Sequence, residues 1–283
     1  MKVSNSRCKN DIDRQVVEDF GKEWATFNQQ SIADQDLQNA FNQYFHIFPF
    51  EKISLNSVGF DMGCGSGRWA KLIANKVKVL NCIDPSAVAL EQAKRNLSDF
   101  SNCNFECAAA LDTQLPEKSQ DFGYCLGVLH HTSDTLAGLK NCANKLKTGA
   151  PFLLYLYYRF DNKPLWFRII WLMSDFARQV ISRLPFSLKL FTSQVIAALI
   201  YWPLARLALL LERIGLQVRN IPLSDYRHKK FYFMRTDALD RFGTKVEKRY
   251  TKNEISQMMT EAGFEDLIFS QSEPFWVVVG NKS

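Results

Sequence analysis

The stretch Val58-Gly-Phe-Asp-Met-Gly-Cys-Gly-Ser-Gly67 decides the fold, because it joins an apolar segment to a helical pattern through closely spaced glycines. Glycine lets the backbone turn sharply and approach a ligand without interference from a Cβ atom. A helix behind such a turn offers free N–H groups and the positive end of its dipole. The spacing differs from the dinucleotide-binding pattern and from the phosphate loop. Asp61, just before the glycines, would repel a pyrophosphate and favours a ligand with a cationic amino group.

Outward from this motif, short apolar runs alternate with amphipathic stretches. Continuous apolar runs are typical of strands in a parallel sheet covered by helices on both faces. The strands predicted before residue 160 are Ser57–Met62, Val77–Ile83, Cys103–Ala108, Phe122–Val128 and Phe152–Tyr158, with helices around 67–76, 86–98 and 134–147. Near the end of the sequence, the capping box Thr251-Lys-Asn-Glu254 starts a helix, and strands Leu267–Ser270 and Phe275–Val279 follow.

The second apolar run ends in an acidic residue, Asp84, which Pro85 follows. A carboxylate at the end of this strand is placed to accept hydrogen bonds from ribose hydroxyls. The alternative is that Asp84 is a solvated helix cap before a proline in the first turn.

In this order the segments resemble the class I S-adenosylmethionine-dependent methyltransferases, in their small-molecule, type 11-like branch. FDMGCGSGRWA (60–70) is similar to their first motif, CIDPS (82–86) to the acidic second-strand motif, and DFGYCLGVLHHTSD (121–134) to the fourth-strand region. The resemblance covers about 50–158 and 245–281. It implies an α/β fold, a Rossmann-like seven-stranded sheet with helices on both faces, and S-adenosyl-L-methionine as cofactor.

The resemblance also implies which residues hold the cofactor. They are Asp61, Gly63, Cys64, Gly65, Asp84, Pro85, Asp112 and Gly127. Asp61 and the glycine backbone would hold the methionine part, and Asp84 the ribose. Members of the family often read the adenine with an acidic residue before a Leu-Pro pair. Asp112 lies one place later than that pattern, so its role stays open. Cys64 is expected to pack in the loop and not to act as a nucleophile.

Two histidines, His130 and His131, close the fourth strand at the edge where ligands bind in such sheets. One of them is a candidate general base for a hydroxyl acceptor; the alternative is that they orient loops or line the cofactor pocket. Tyr157 and Tyr158 either border the acceptor or pack in the core. His228 is expected in a solvated loop.

Composition limits the class of protein. The chain of 283 residues is 47% hydrophobic and 23% charged, which excludes a disordered, collagen-like or coiled-coil protein. The seven cysteines are an odd number without metal-ligand spacing, so we expect no metal site and reduced thiols. The amino-terminal residues lack the apolar core of a signal peptide. Together these features favour a cytoplasmic location.

The positive charge is concentrated in one internal segment. Residues 159–235 contain 13 Lys and Arg against 4 Asp and Glu, a net charge of +9, whereas the whole chain carries +6. The pattern predicts one amphipathic helix at 166–184 and a more apolar one at 188–211, which Pro203 interrupts. No stretch reaches about 18 apolar residues without a charge, so we expect no membrane span.

These features predict three parts of the chain: an N-terminal helical cap (1–50), the cofactor-binding domain (51–158 and 245–283), and a helical insertion (159–244) that serves as a lid over the acceptor. The helices of 159–215 are expected either to be buried against the core or a homodimer partner, or to contact a membrane peripherally.

The predicted function is methyl transfer to a small-molecule acceptor, at the oxygen of a metabolite or sugar. The alternatives are a membrane-associated lipid or lipid-linked acceptor, and a non-catalytic S-adenosylmethionine-binding protein. The last would be expected to have a degraded glycine motif. A nucleic-acid acceptor is disfavoured, because Gly127-Val-Leu-His-His131 stands where base-methylating relatives have a polar-Pro-Pro-aromatic motif.

Overall fold

The computed structural model describes Val17, Glu18, Gly21 and residues 34–283. Contacts divide the chain into two compact units. The first, the sheet unit, contains the described residues up to Arg159 together with Lys248–Ser283, and the second, the helical unit, is Phe160–Glu247. Within the N-terminal helical cap, apolar residues at three- and four-residue steps predict a helix between residues 16 and 27. Almost all of this segment lies outside the described residues.

The sheet unit is built on one seven-stranded sheet in the order β3-β2-β1-β4-β5-β7-β6. Strands β1 to β5 pair in parallel, and β7 runs antiparallel to both β5 and β6. This topology confirms the predicted α/β sheet of the Rossmann-like methyltransferase type. The strands are β1 (Val58–Met62), β2 (Val79–Asp84), β3 (Cys103–Cys107), β4 (Phe122–Leu126), β5 (Pro151–Tyr155), β6 (Phe264–Phe269) and β7 (Val277–Lys282).

The helices cover both faces of this sheet, as continuous apolar strands require. One apolar layer contains Leu139 and Ile255 from the helices, and the other contains Phe41 and Leu90. In chain order the helices are α1 (Asp34–Phe45), α2 (Ala70–Ile73), α3 (Ala87–Asn96), α4 (Thr135–Lys145), α5 (Leu165–Ile181), α6 (Phe186–Ile196), α7 (Trp202–Arg213), α8 (Phe231–Gly243) and α9 (Lys252–Glu261).

Helix α1 packs on the sheet through aromatic side chains. The rings of Phe41 and Phe45 stack with their centres 4.1 Å apart, and Phe45 meets Tyr124 of β4 edge-on at 5.3 Å. Tyr44 lies on the same helix, 5.2 Å from the ring of Tyr155 at the end of β5. The helix therefore brings an aromatic side chain to the carboxyl edge of the sheet.

In the helical unit, a five-residue π-helical turn, Ala197–Tyr201, joins α6 to α7. The result is one continuous helix of 28 residues, Phe186–Arg213. The predicted interruption at Pro203 is therefore wrong. The helix continues because Trp202 N–H reaches the carbonyl of Ala197, five residues back, and Pro203 lies in the first turn of α7, where it is tolerated.

The continuous helix also overturns the expectation that no segment is long and apolar enough for a membrane. An 18-residue window of Phe186–Arg213 has a mean hydropathy of 1.7. By length and composition alone, this helix would suffice to cross a bilayer. The sequence pattern hides this helix because Pro203 suggests an interruption and charged residues break the apolar run. Lys189 and Arg206 lie in this helix, yet Lys189 is buried and Arg206 bonds two backbone carbonyls.

The capping box of α9 gives a direct test of the local fold. Glu254 N–H donates to Thr251 Oγ1 at 3.2 Å, and Thr251 N–H donates to Glu254 Oε2 at 2.7 Å. Thr251→Ala is expected to lower the free energy of unfolding by about 1 kcal/mol in urea titration, because an N–H group at the helix start loses its acceptor. Thr260→Ala, at an exposed position of the same helix, is the control and should leave stability nearly unchanged.

Candidate functional site

The glycine motif forms a tight turn at the carboxyl edge of the sheet, where β1 passes into α2. Gly63 N–H and Cys64 N–H both donate to the carbonyl of Ile83 in β2, at 2.7 and 3.0 Å. Gly63 and Gly65 have φ angles of +78° and +54°, which L side chains rarely adopt. A Cβ atom at Gly63 would also lie 2.3 Å from the Val128 side chain. The turn therefore requires glycine at position 63.

Asp61 lies at the floor of this turn and is almost completely buried, with 1% of its surface exposed. Its Oδ2 atom has no hydrogen-bond partner. Burial raises the pKa of the carboxyl to about 8, although the nearby Tyr124 hydroxyl lowers it; the Asp84 charge raises it further. A buried carboxyl with an unsatisfied oxygen is suited to a cationic ligand, which would stabilise its charged form.

Asp84 ends β2 and orients the same turn. Its Oδ2 accepts a hydrogen bond from Gly65 N–H at 2.9 Å, and its Oδ1 accepts one from Ser86 N–H at 2.8 Å. Each carboxylate oxygen keeps a second lone pair that a ribose hydroxyl can use. Burial raises the pKa of Asp84 to about 6, against the lowering effect of the two backbone donors.

The alternative role of Asp84 as a solvated helix cap is wrong. Asp84 is buried, with 8% exposed, and Ser86 is the N-cap of α3, because its Oγ accepts a hydrogen bond from Ala89 N–H. Pro85 therefore precedes the cap and does not lie in the first turn.

The other predicted cofactor residues surround the same edge. Gly127 follows β4 with a φ of +78°, and a Cβ atom there would meet nothing within 4 Å. A hydrogen bond with the Cys82 thiol lowers the pKa of the Cys64 thiol, but burial and the charges of Asp84 and Asp61 together raise this pKa to about 11. Such a thiol is not a nucleophile at neutral pH. Asp112 lies half-buried in a turn after β3, and its role in binding adenine stays a prediction.

His130 is fully buried at the end of β4, and both of its ring nitrogens lack hydrogen-bond partners. Its ring stacks on Tyr157 with centres 3.9 Å apart and lies 4.0 Å from the ring of His131. Burial, with a smaller effect from His131 and Arg249, holds the pKa of His130 well below 6.5. The ring is therefore neutral at pH 7, with a lone pair on one nitrogen.

Sequence patterns missed part of this cluster. The guanidinium of Arg249 lies 5.1 Å from the ring centre of Tyr157, and Tyr155 lies 5.9 Å from Tyr157 on its other side. Arg249 lies far from the two tyrosines in the chain, so the spacing of residues in the sequence does not connect it with them. Only the fold of the sheet unit brings them together. Tyr158, by contrast, packs against Phe275 at 5.8 Å.

The remaining candidates lie outside this cluster. His228 is exposed in the helical unit, where its Nε2 pairs with Glu212 at 2.8 Å. Among the described residues, no group of His, Cys, Asp or Glu has the arrangement of a metal site.

Comparison with known proteins assigns a family to the segment that contains the glycine turn and strands of its sheet. Residues 60–154 match the methyltransferase domain family Methyltransf_11. The chain contains a class I S-adenosylmethionine-dependent methyltransferase domain. This confirms the resemblance drawn from the sequence motifs, and the cofactor of the domain is S-adenosyl-L-methionine. The unsatisfied Asp61 oxygen, the left-handed glycines and the oriented Asp84 carboxylate are compatible with that cofactor.

Relatives of this methyltransferase domain differ in their acceptors. Two curated proteins, the tRNA U34 carboxymethyltransferases of Sulfurovum sp. and Campylobacter concisus, are each 33% identical, over 33% and 35% of this chain. The matches span 32% and 35% of those proteins, so the chain covers about a third of their length. The structure of human N-acetylserotonin methyltransferase aligns with a TM-score of 0.50 at 15% identity, over 88% of this chain and 54% of that one. This similarity supports the fold.

The raised pKa of Asp61 predicts how cofactor binding depends on pH. Below about pH 8 the free carboxyl carries a proton, which the ammonium group of S-adenosylhomocysteine must displace. Affinity should therefore fall by up to about tenfold for each pH unit between about 8 and 6.5, with proton release on binding. Calorimetry in buffers of different ionisation enthalpy measures both.

Asp61→Asn should bind more weakly and lose this pH dependence. Asp99→Asn, which changes an exposed carboxyl, should retain the dependence of the unaltered protein. Equal pH dependence in all three proteins would contradict the role of Asp61.

Asp84→Ala should weaken S-adenosylhomocysteine binding by roughly 1.5–3 kcal/mol, because the ribose hydroxyls lose an ionised acceptor. Ser86→Ala is the matched control: it removes the α3 cap and should lower stability by about 1 kcal/mol while leaving the affinity nearly unchanged. Equal affinities in the two variants would show that Asp84 acts only on the local structure.

Proposed function

We propose that the protein transfers the methyl group of S-adenosylmethionine to a small-molecule acceptor, at an oxygen atom. The observation that carries this proposal is the buried Asp61 carboxyl, whose Oδ2 lacks a partner beside the glycine turn. Asp61 and the turn would hold the amino-acid part of the cofactor, and Asp84 the ribose. Their intact geometry argues against a non-catalytic binding protein.

The bound cofactor supplies a methyl group already activated on a sulfonium. The chain's own residues then have to orient the acceptor, exclude water and receive a proton. Tyr155 and Tyr157 offer aromatic faces against which an acceptor can pack. His130 has a neutral ring with unsatisfied nitrogens, and one of them would take the proton of an acceptor hydroxyl as the new oxygen–carbon bond forms.

Two other acceptor classes have specific support. The curated relatives act on tRNA, but the match covers about a third of their length. A lipid or lipid-linked acceptor is favoured by the exposed apolar side chains of the helices in the helical unit. We further propose a cytoplasmic location; the described cysteines, which form no disulfide, agree with reduced surroundings.

Transfer from methyl-labelled S-adenosylmethionine distinguishes these acceptors. The purified protein is incubated separately with polar metabolites, a lipid extract and tRNA, all prepared from the cells that produce the protein. Mass spectrometry then measures the masses of the products. A labelled polar metabolite supports a small acceptor, and a labelled lipid supports the membrane alternative. Label in tRNA, or transfer of a carboxymethyl group, would overturn the proposal.

His130→Gln should lower kcat by roughly 10²- to 10⁴-fold on the acceptor found in that assay, while cofactor affinity changes little. Glutamine retains a hydrogen-bonding side chain but cannot take up the proton. His46→Gln, which alters a histidine bonded to Ser270 Oγ on another part of the sheet unit, is the control and should keep kcat. An unchanged kcat in His130→Gln would remove the general base from the mechanism.

A further inference from the structure

In the helical unit, α5 places a polar side chain inside and large apolar side chains outside, and the unit's buried apolar cluster, around Tyr201, Met234 and Phe242, is small. In α5 the buried residue is Arg178, which pairs with Asp175 at 2.7 Å and donates to the carbonyl of Thr244 at 3.0 Å. On the same helix, the side chains of Met173 and Phe176 are each 71% exposed. The apolar periodicity is thus present, but it points away from the unit's interior.

The continuous helix Phe186–Arg213 repeats this arrangement. Five of its buried residues recur every four positions, namely Lys189, Ser193, Ala197, Tyr201 and Ala205, and Ala208 follows three positions later. Apart from Tyr201, these residues are charged, polar or small. A four-residue spacing drifts around an α-helix of 3.6 residues per turn. The wider π-helical turn at Ala197–Tyr201 compensates for that drift and keeps one side of the helix facing inward along its whole length.

Both helices rest on α8, which is itself charged. Arg241 donates to Ser174 of α5 at 3.2 Å, and Arg235 bonds Gln194 of α6. Asp237 and Asp240 lie on the same helix. Water-soluble helices turn their large apolar residues inward. Helices that face lipid pack differently: they turn small and polar residues toward the protein and large apolar residues outward.

We propose that the outward face, meaning the exposed apolar side chains of α5 and of Phe186–Arg213, inserts into one leaflet of an anionic membrane. Met173, Phe176, Phe191 and Leu199 are among its most exposed members, at 67–71%. Trp166 and Trp202 are about half exposed, 48% and 47%, and tryptophan favours the boundary between headgroups and hydrocarbon.

Charge argues for an anionic surface as the occupant. Residues 159–235 carry a net charge of +9, and Arg168, Arg183 and Arg213 are exposed on or next to these helices. Basic residues close to an apolar face strengthen binding to acidic lipids by about 1 kcal/mol each near the surface. A second copy of this chain, which is itself positive overall, has no such complementarity.

The packing on α8 argues for one leaflet instead of a full span. A helix crossing the bilayer would bring the charged α8 into the hydrocarbon, where each charge is costly. Exposed apolar residues also extend from Leu188 to Leu210, about 33 Å along the helix, and further ones lie on α5. A helix lying in the plane of the membrane buries all of them.

Vesicle co-sedimentation of the full-length protein tests this proposal without any acceptor, so its failure would leave methyl transfer unaffected. The protein should bind vesicles of phosphatidylcholine and phosphatidylglycerol, and binding should weaken with salt, since screening acts over about 10 Å at 0.1 M. The triple variant Met173→Ser, Phe176→Ser, Leu199→Ser should partition on the order of 100-fold more weakly.

The control triple variant is Leu55→Ser, Val88→Ser, Ile268→Ser, which removes apolar side chains that are 54–70% exposed on the sheet unit. It should bind vesicles like the unaltered protein. Absence of binding at low salt would overturn the proposal, and so would equal binding by both triple variants, since charge alone would then explain it. If the membrane shielded α8 from water on both sides of this helix, that result would contradict insertion into one leaflet.

Other occupants give distinct results. An environment-sensitive fluorophore on Leu199→Cys, in a Cys8→Ser, Cys107→Ser background, should brighten only when vesicles are added. A fluorophore that is bright without vesicles would show that another part of the chain or a second copy covers the face. A dimer in solution that the face variant converts to monomer, or tRNA binding that the face variant abolishes, would equally overturn the membrane proposal.

Discussion

The buried carboxyl of Asp61 is the constraint on which the cofactor site depends. Folding removes this group from water and leaves one of its oxygens without a partner, so the free protein holds it with a pKa of about 8. The glycines beside it form a turn that bonds to the Ile83 carbonyl, and Asp84 fixes the turn through Gly65. The unfavourable desolvation of one carboxyl thus becomes selectivity for a ligand with a cationic amino group.

The sheet could be predicted almost completely, because parallel strands buried on both faces leave continuous apolar runs. The errors are at strand ends. β6 begins at Phe264, three residues before its predicted start, because Gly263 ends α9 with a left-handed φ of +84° and the strand follows at once. The side chains that meet at the site, such as Tyr44 and Tyr155, could not be paired from the sequence, because only the packing of α1 on the sheet brings them together.

The helical unit shows a different limit of sequence patterns. The periodicity of α5 correctly predicts an amphipathic helix, but a period does not say which side is buried. In α5 the interior is formed by the Arg178–Asp175 pair and backbone carbonyls, and the apolar side is exposed. Pro203 was equally misleading, since a π-helical turn accommodates it. One chain therefore combines a sheet unit with an apolar core and a helical unit with apolar residues on its surface.

The most direct measurement of the central claim is the protonation state of Asp61 with and without ligand. Infrared difference spectroscopy on protein with ¹³C-labelled aspartate carboxyls, assigned by Asp61→Asn, observes this group itself. At neutral pH the free protein should show a protonated buried carboxyl, and saturation with S-adenosylhomocysteine should convert it to a carboxylate. A carboxyl that is already ionised in the free protein, or that stays protonated in the complex, would contradict the account.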